Sequence, residues 1–197
     1  MTDLAELRDY VADETFGPET VVTGPVSSVE FEECTFDGVV LDEAILRQCR
    51  FTACRFAHCS LSGVRWPDTS LTGCTFVDCR IVGTSFSQLA PSVVMEPSRF
   101  ERTRLHLCSF VGRDLSRWEF TDCAVLECDV DDSDLRHAVL RDCDLDRTTF
   151  RGCDLREADL SGSRNLALDV RENKVRGLTV DASTAASLLA PLGIRLA

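Results

Sequence analysis

Large apolar residues recur at every fifth position along most of this chain. The run Phe31, Phe36, Leu41, Leu46, Phe51, Phe56, Leu61, Trp66, Leu71, Phe76, Ile81 and Phe86 is followed by a break. It resumes with Phe100, Leu105, Phe110, Leu115, Phe120, Val125, Val130, Leu135, Leu140, Leu145, Phe150, Leu155 and Leu160. Two residues before most of these centres stands a small residue, such as Cys34, Val39, Ala44, Cys49, Thr69, Ser133 or Ala158. The other positions are mostly Asp, Glu, Arg, Ser, Thr or Gly. A helix repeats every 3.6 residues and a strand every two, so neither produces a period of five. The pattern is that of a repeat architecture. In each unit the centre and the small residue point inward and the other three point to solvent. A single unit cannot bury its apolar face, whereas units wound into a coil bury it against the coils above and below. Stacked coils would lie ~4.8 Å apart, with large and small residues interleaved to fill a narrow interior.

Units such as Cys143-Asp144-Leu145-Asp146-Arg147, Cys153-Asp154-Leu155-Arg156-Glu157 and Ala158-Asp159-Leu160-Ser161-Gly162 resemble those of the pentapeptide-repeat proteins. The resemblance covers roughly residues 29 to 180. It implies an all-β solenoid, a right-handed quadrilateral β-helix with four units per coil. The expected organisation is an N-terminal cap over residues 1–20, the β-helix over 21–180 with a break at 87–99, and a C-terminal helix and dimerisation tail over 181–197.

All eleven cysteines occupy the small position of a unit, so their spacing is set by the repeat. No CxxC pair is present, and the spacings match no metal site. The cysteines are therefore expected to be reduced and buried as small apolar residues, with side chains running parallel in a way that suits disulfide geometry poorly. His58, His106 and His137 lie at outward positions of different units, and no nucleophile elbow or phosphate loop appears. The chain is expected to be no enzyme and to use neither cofactor nor metal.

Thirty-three acidic residues against twenty-one basic ones give a formal net charge of -12. Nucleic acid and anionic membrane both require a cationic surface; this balance argues against both and favours a basic partner. No apolar run approaches a membrane span, and Met1 to Tyr10 lacks the character of a secretory signal. A soluble, cytoplasmic protein is expected.

Three irregularities interrupt the pattern. Between Phe86 and Phe100 the phase changes. Either Met95 is a centre with Val93 as its inward neighbour and one residue is deleted, or the segment projects as a loop bounded by Pro91 and Pro97. Arg113 and Trp118 stand where small residues belong. Trp118 is then either an exposed interface anchor or an indole buried in a widened coil, since overpacking would cost about 1–3 kcal/mol. The third irregularity is the two ends. Asp3-Leu4-Ala5-Glu6 reads as a capping box before a short helix with Leu4, Leu7 and Val11 on one side. After Val180, Asp181 or Ser183 caps a helix that Pro191 and Gly193 stop, leaving Leu188, Leu189, Leu192, Ile194 and Leu196 as an apolar surface.

The run Ala186-Ser187-Leu188-Leu189, then Leu192-Gly193-Ile194, is similar to the tail of the Qnr and MfpA subgroup of pentapeptide-repeat proteins. That resemblance implies a homodimer through the tail. It further implies a rod that mimics DNA, binds DNA gyrase or topoisomerase IV, and inhibits the enzyme or protects it from quinolone-like inhibitors. Residues 114 to 160 carry fourteen acidic side chains against six arginines. With four units per coil, Asp114, Asp134 and Asp154 fall on one face, with Arg136 and Arg156 as a parallel row. Asp114, Asp134, Asp154, Asp129, Asp144 and Trp118 are the expected partner-binding residues. The alternative is a scaffold that binds some other protein through one flat face.

Overall fold

The computed structural model describes residues 2–91, 96–189 and 192–194. Its strands are two or three residues long and all of them pair in parallel. They form the four sides of a β-solenoid. The first side stacks Tyr10–Ala12, Glu30–Glu32, Arg50–Thr52 and Ser70–Thr72; the second runs from Thr15–Phe16 through seven strands to Val139–Arg141. The third stacks Ser60–Ser62, Arg80–Val82, Arg104–His106 and Ala124–Leu126, and the fourth begins with Val26–Ser27 on Leu46–Arg47. Phe31 lies opposite Phe51, so four five-residue units close one coil, as the repeat predicts.

The centres fill the interior. On the second side Phe16, Phe36, Phe56, Phe76, Phe100 and Phe120 stack ring on ring, with successive centroids 4.7–4.9 Å apart. That distance is the coil spacing itself, so the parallel register imposes the stacking. At its Cys, Ser and Thr positions the small column holds a donor as well as a small volume. Cys54 Sγ donates to the Phe31 carbonyl at 3.3 Å and Cys74 Sγ to that of Phe51 at 3.3 Å. Thr69 and Ser133 take the same position, and their hydroxyls donate to the Leu46 and Phe110 carbonyls at 2.7 and 2.8 Å. This explains why Cys, Ser and Thr alternate there. All eleven cysteines are free and buried. Burial pushes the Cys74 thiol up to about 12 and the Cys153 thiol to about 11, which leaves both inert as nucleophiles at neutral pH.

The corners add something the polarity pattern does not show. The residue two after most centres adopts a left-handed backbone, whether glycine (Gly38, Gly63, Gly83) or not (Gln48, His58, Asp78, Leu107). A left-handed residue reverses the local twist and turns the chain into the next side. For a residue with a Cβ this conformation is uncommon and costs energy.

At the break, Phe76 lies opposite Phe100, a step of 24 residues in place of 20. Four extra residues shift a five-residue phase by the same amount as one deletion, which is why the sequence pattern left two readings open. Val93 and Met95 lie outside the described residues. Within the break Leu89 is buried, and the register is regular again at Arg99–Glu101. The local cost is visible at Ser98: its hydroxyl is the one buried side-chain polar atom without a partner among the described residues.

The N-terminal expectation requires correction. The helix is one 3-10 turn, Leu4–Glu6, with the Asp3 carboxylate accepting from the Ala5 amide at 3.0 Å. Asp3 also accepts from the Thr23 amide and hydroxyl, so it ties the turn to the coil. Val11 is not on that turn but in strand Tyr10–Ala12, paired with Phe31. The solenoid therefore starts inside the segment expected as a cap. The centre series extends back through Phe16 and Val11, but Asp9 and Glu14 stand where small residues would have marked it. At the other end the helix spans Ala182–Leu189, and Leu188 is buried against the core. The Asp181 carboxylate accepts from the Gly162 amide of the coil before at 2.7 Å.

Candidate functional site

Asp114, Asp134 and Asp154 do stack one per coil, joined by parallel bridges, and Lys174 continues the column. Their charges are largely spent within the chain. Arg136 lies 2.6 Å from Asp134 and Arg156 lies 2.7 Å from Asp154, with Lys174 3.7 Å from Asp154. The cause is local: the arginine is two residues after the aspartate in the same unit, so both stand on the same outer face. Each aspartate also accepts the backbone N–H of that arginine. Arg156 holds the Asp154 carboxyl down at about 2, and Arg136 lowers that of Asp134. Asp114 is exposed and has no cation in contact among the described residues, accepting only from the Ser116 amide. Carboxylates ~5 Å apart repel, and the parallel arginine row offsets that repulsion.

Asp129 and Asp144 stand on other sides of the coil. Asp129 pairs laterally with Ser109 and Thr149 on the fourth side, and Asp144 with Ala124 and Arg164 on the third. Asn165 and then Arg164 bind the Asp144 carboxylate and lower its pKa. The six expected binding residues therefore do not form one surface.

Trp118 is half-buried, its ring stacked 5.8 Å from that of Phe100. It is a packed residue rather than a free anchor. Arg113 donates to the carbonyls of Leu89 and Ala90 at 2.7 and 3.2 Å. Both side chains line a cleft of about 280 Å³ together with Leu71, Leu89 and Pro97.

A solenoid turns position in sequence into position along its axis, and the charge is unevenly spread along it. Residues 1–43 contain twelve carboxylates and one arginine. Residues 44–112 contain eight arginines and four carboxylates, and residues 113–197 contain seventeen carboxylates and twelve cations. Most of the net charge therefore sits at the N-terminal end, on Asp9, Asp13, Glu14, Glu30, Glu32 and Glu33 around the exposed Tyr10. Tyr10 donates to Glu32, which helps push its pKa up to about 12. Counting charges by thirds of the sequence would have found this end. The acid-rich stretch 114–160, by contrast, has Asp134, Asp144, Asp154 and Asp159 held by arginines.

The depressed Asp154 pKa has a consequence for stability. An unfolded aspartate titrates near 3.9, so the ion pair contributes fully above about pH 4 and is lost as pH falls toward 2. Urea unfolding of the parent should therefore weaken between pH 4 and 2 more steeply than that of Asp154→Asn, and the two should converge near pH 2. Parallel pH profiles would show that the pair does not stabilise the fold.

Among the described residues no group of three or more His, Cys, Asp or Glu is placed to hold a metal, and no helix is long and apolar enough to cross a membrane. Of the tail residues, Leu188 is buried, Leu189 half-buried, and Leu192 and Ile194 are exposed at 39% and 48%. Leu196 lies outside the described residues.

Eight copies of the family described as pentapeptide repeats match residues 49–88 and 127–164. Solved structures of QnrB1, described as a plasmid-mediated fluoroquinolone resistance protein, share the fold. A trypsin-treated form aligns at TM-score 0.66 and 18% identity over 96% of this chain and 98% of that one. The full-length form aligns at TM-score 0.64 and 17% identity over 94% of this chain and 100% of that one. No curated protein matches the chain in sequence.

Proposed function

We propose, from the premise that this chain is a pentapeptide-repeat protein with a Qnr-like fold, that it binds a type II topoisomerase. On this reading the partner is DNA gyrase or topoisomerase IV, and binding inhibits the enzyme or protects it from quinolone-like inhibitors. The likeness of fold to a fluoroquinolone resistance protein, along nearly the whole of both chains, is the observation that carries this reading. The tail Ala186-Ser187-Leu188-Leu189, with its resemblance to the Qnr and MfpA subgroup, supports it. The rod acts by occupying a basic, DNA-binding surface rather than by chemistry, and it works in the cytoplasm as a homodimer joined through its tails. A two-fold rod suits a two-fold enzyme, because both halves then engage at once. The acidic N-terminal ends, placed at the tips of such a dimer, supply more free negative charge than the Asp114 column.

Duplex DNA carries a charge about every 1.7 Å, so this mimicry is partial. The pairing of Asp134 and Asp154 with arginines favours, as a second reading, a scaffold that engages another protein through a flat face. Binding of purified gyrase to the immobilised chain distinguishes the two. Affinity is expected to fall roughly tenfold or more from low to high salt, mainly through the association rate. Absence of binding at low salt would leave the scaffold reading.

A further inference from the structure

The third side of the rod carries a feature of opposite sign to the chain as a whole. In its four-stranded sheet Arg80 lies directly beside Arg104, one coil apart. Lateral like charges destabilise a sheet, and on other sides and at one corner of these coils three arginines are held by carboxylates. Arg50 reaches Glu30, Arg99 reaches Glu119 and Arg102 reaches Asp78. Among the described residues neither Arg80 nor Arg104 forms an ion pair. Arg80 donates to the Ser62 hydroxyl at 2.8 Å, and both arginines are exposed.

The same sheet presents apolar side chains outward. Val82 and Leu126 flank His106 in one row across the strands, each half-buried, and Ala124 follows Arg104 in the other. At the adjoining corner Leu107 is 54% exposed and adopts a left-handed backbone, φ 55°. The fold gains nothing from an exposed leucine there, since asparagine or glycine takes that conformation more readily. Two costly choices thus meet on one flat face: unpaired neighbouring arginines and an exposed leucine at a corner.

We infer that this face, centred on Arg80, Arg104, Val82, Leu126 and Leu107, is a docking surface for an acidic segment of a partner protein. Its carboxylates lie over the two guanidinium groups, and its apolar side chains cover Val82, Leu126 and Leu107. Charge complementarity commits the occupant: Arg80 and Arg104 stand side by side on this sheet, in coils whose four sides together, residues 44–112, are net basic, while Asp42 near Arg80 and Glu127 at His106 bound the patch. An arginine pair beside apolar groups suits a carboxylate-bearing segment, because guanidinium binds carboxylates in a forked geometry and is weakly hydrated. The inference is independent of topoisomerase binding, which uses surface of the other sign.

The test is an NMR titration of the intact, 15N-labelled chain with an acetylated octapeptide of alternating Glu and Leu. Poly-glutamate of the same length and a short DNA duplex are titrated in parallel. The expected result is shifts confined to residues 80–82, 104–107 and 124–126, with the Glu–Leu peptide binding tightest. Arg80→Ser combined with Arg104→Ser should weaken that binding tenfold or more, and Leu107→Asn should weaken it while leaving thermal unfolding as high as in the parent. Several results would overturn the inference: no localised shifts, unchanged affinity in the double variant, or equal or tighter binding of poly-glutamate or DNA.

Discussion

Phe100→Ala is expected to lower the free energy of unfolding by about 3–5 kcal/mol. Phe100 is fully buried, with Phe76 above it at 4.7 Å, Phe120 below at 4.8 Å and Phe86 edge-on at 6.1 Å. It is also the first centre after the four-residue insertion, so its ring carries the phenylalanine stack across the break. Coils of a solenoid contact only their neighbours. Loss of this ring should therefore weaken the coupling between the two halves as well as their sum. Urea unfolding followed by circular dichroism should show a lower midpoint and a transition broadened or split into two. Phe150→Ala is the comparison, because Phe150 is equally buried but stacks on no aromatic ring among the described residues. A Phe150→Ala loss as large as that of Phe100→Ala would show that stacking adds little to burial.

For the homodimer proposed above, Leu192→Asp combined with Ile194→Asp is expected to halve the mass in sedimentation. Leu188 already covers the last coil, so these two exposed residues are free to meet a second copy. Because both are exposed in the protomer, the variant should unfold within about 0.5 kcal/mol of surface substitutions that leave the parent's stability unchanged. An unchanged mass would place any dimer contact elsewhere.

The fold was legible because the period of five is carried by two residues in each unit, the large centre and the small neighbour. Phe31 and Cys34 announce the interior independently. Where only one of the two persists, the signal fades, as at Val11 and Phe16, which Asp9 and Glu14 precede in place of small residues. The corners were illegible for another reason. A left-handed backbone is signalled by glycine or asparagine, whereas Gln48, His58 and Leu107 adopt it under the constraint of the coils on either side.

The candidate site was legible in position but not in charge. The spacing of Asp114, Asp134 and Asp154 placed them in one column. Whether Arg136 and Arg156 would neutralise that column depends on side-chain geometry within a single unit. For Arg113 and Trp118 the pattern leaves both orientations open, because the stacking of Trp118 on Phe100 and the hydrogen bonds of Arg113 to Leu89 and Ala90 are contacts between coils, which a local pattern does not contain.

The most direct measurement is DNA supercoiling by purified gyrase against increasing concentrations of this chain, with and without a fluoroquinolone. Topoisomerase binding predicts a dose-dependent change: supercoiling falls as DNA is displaced, or supercoiling blocked by the drug is restored. Supercoiling that is identical at every concentration in both arms, with the chain in large excess over the enzyme, would contradict it.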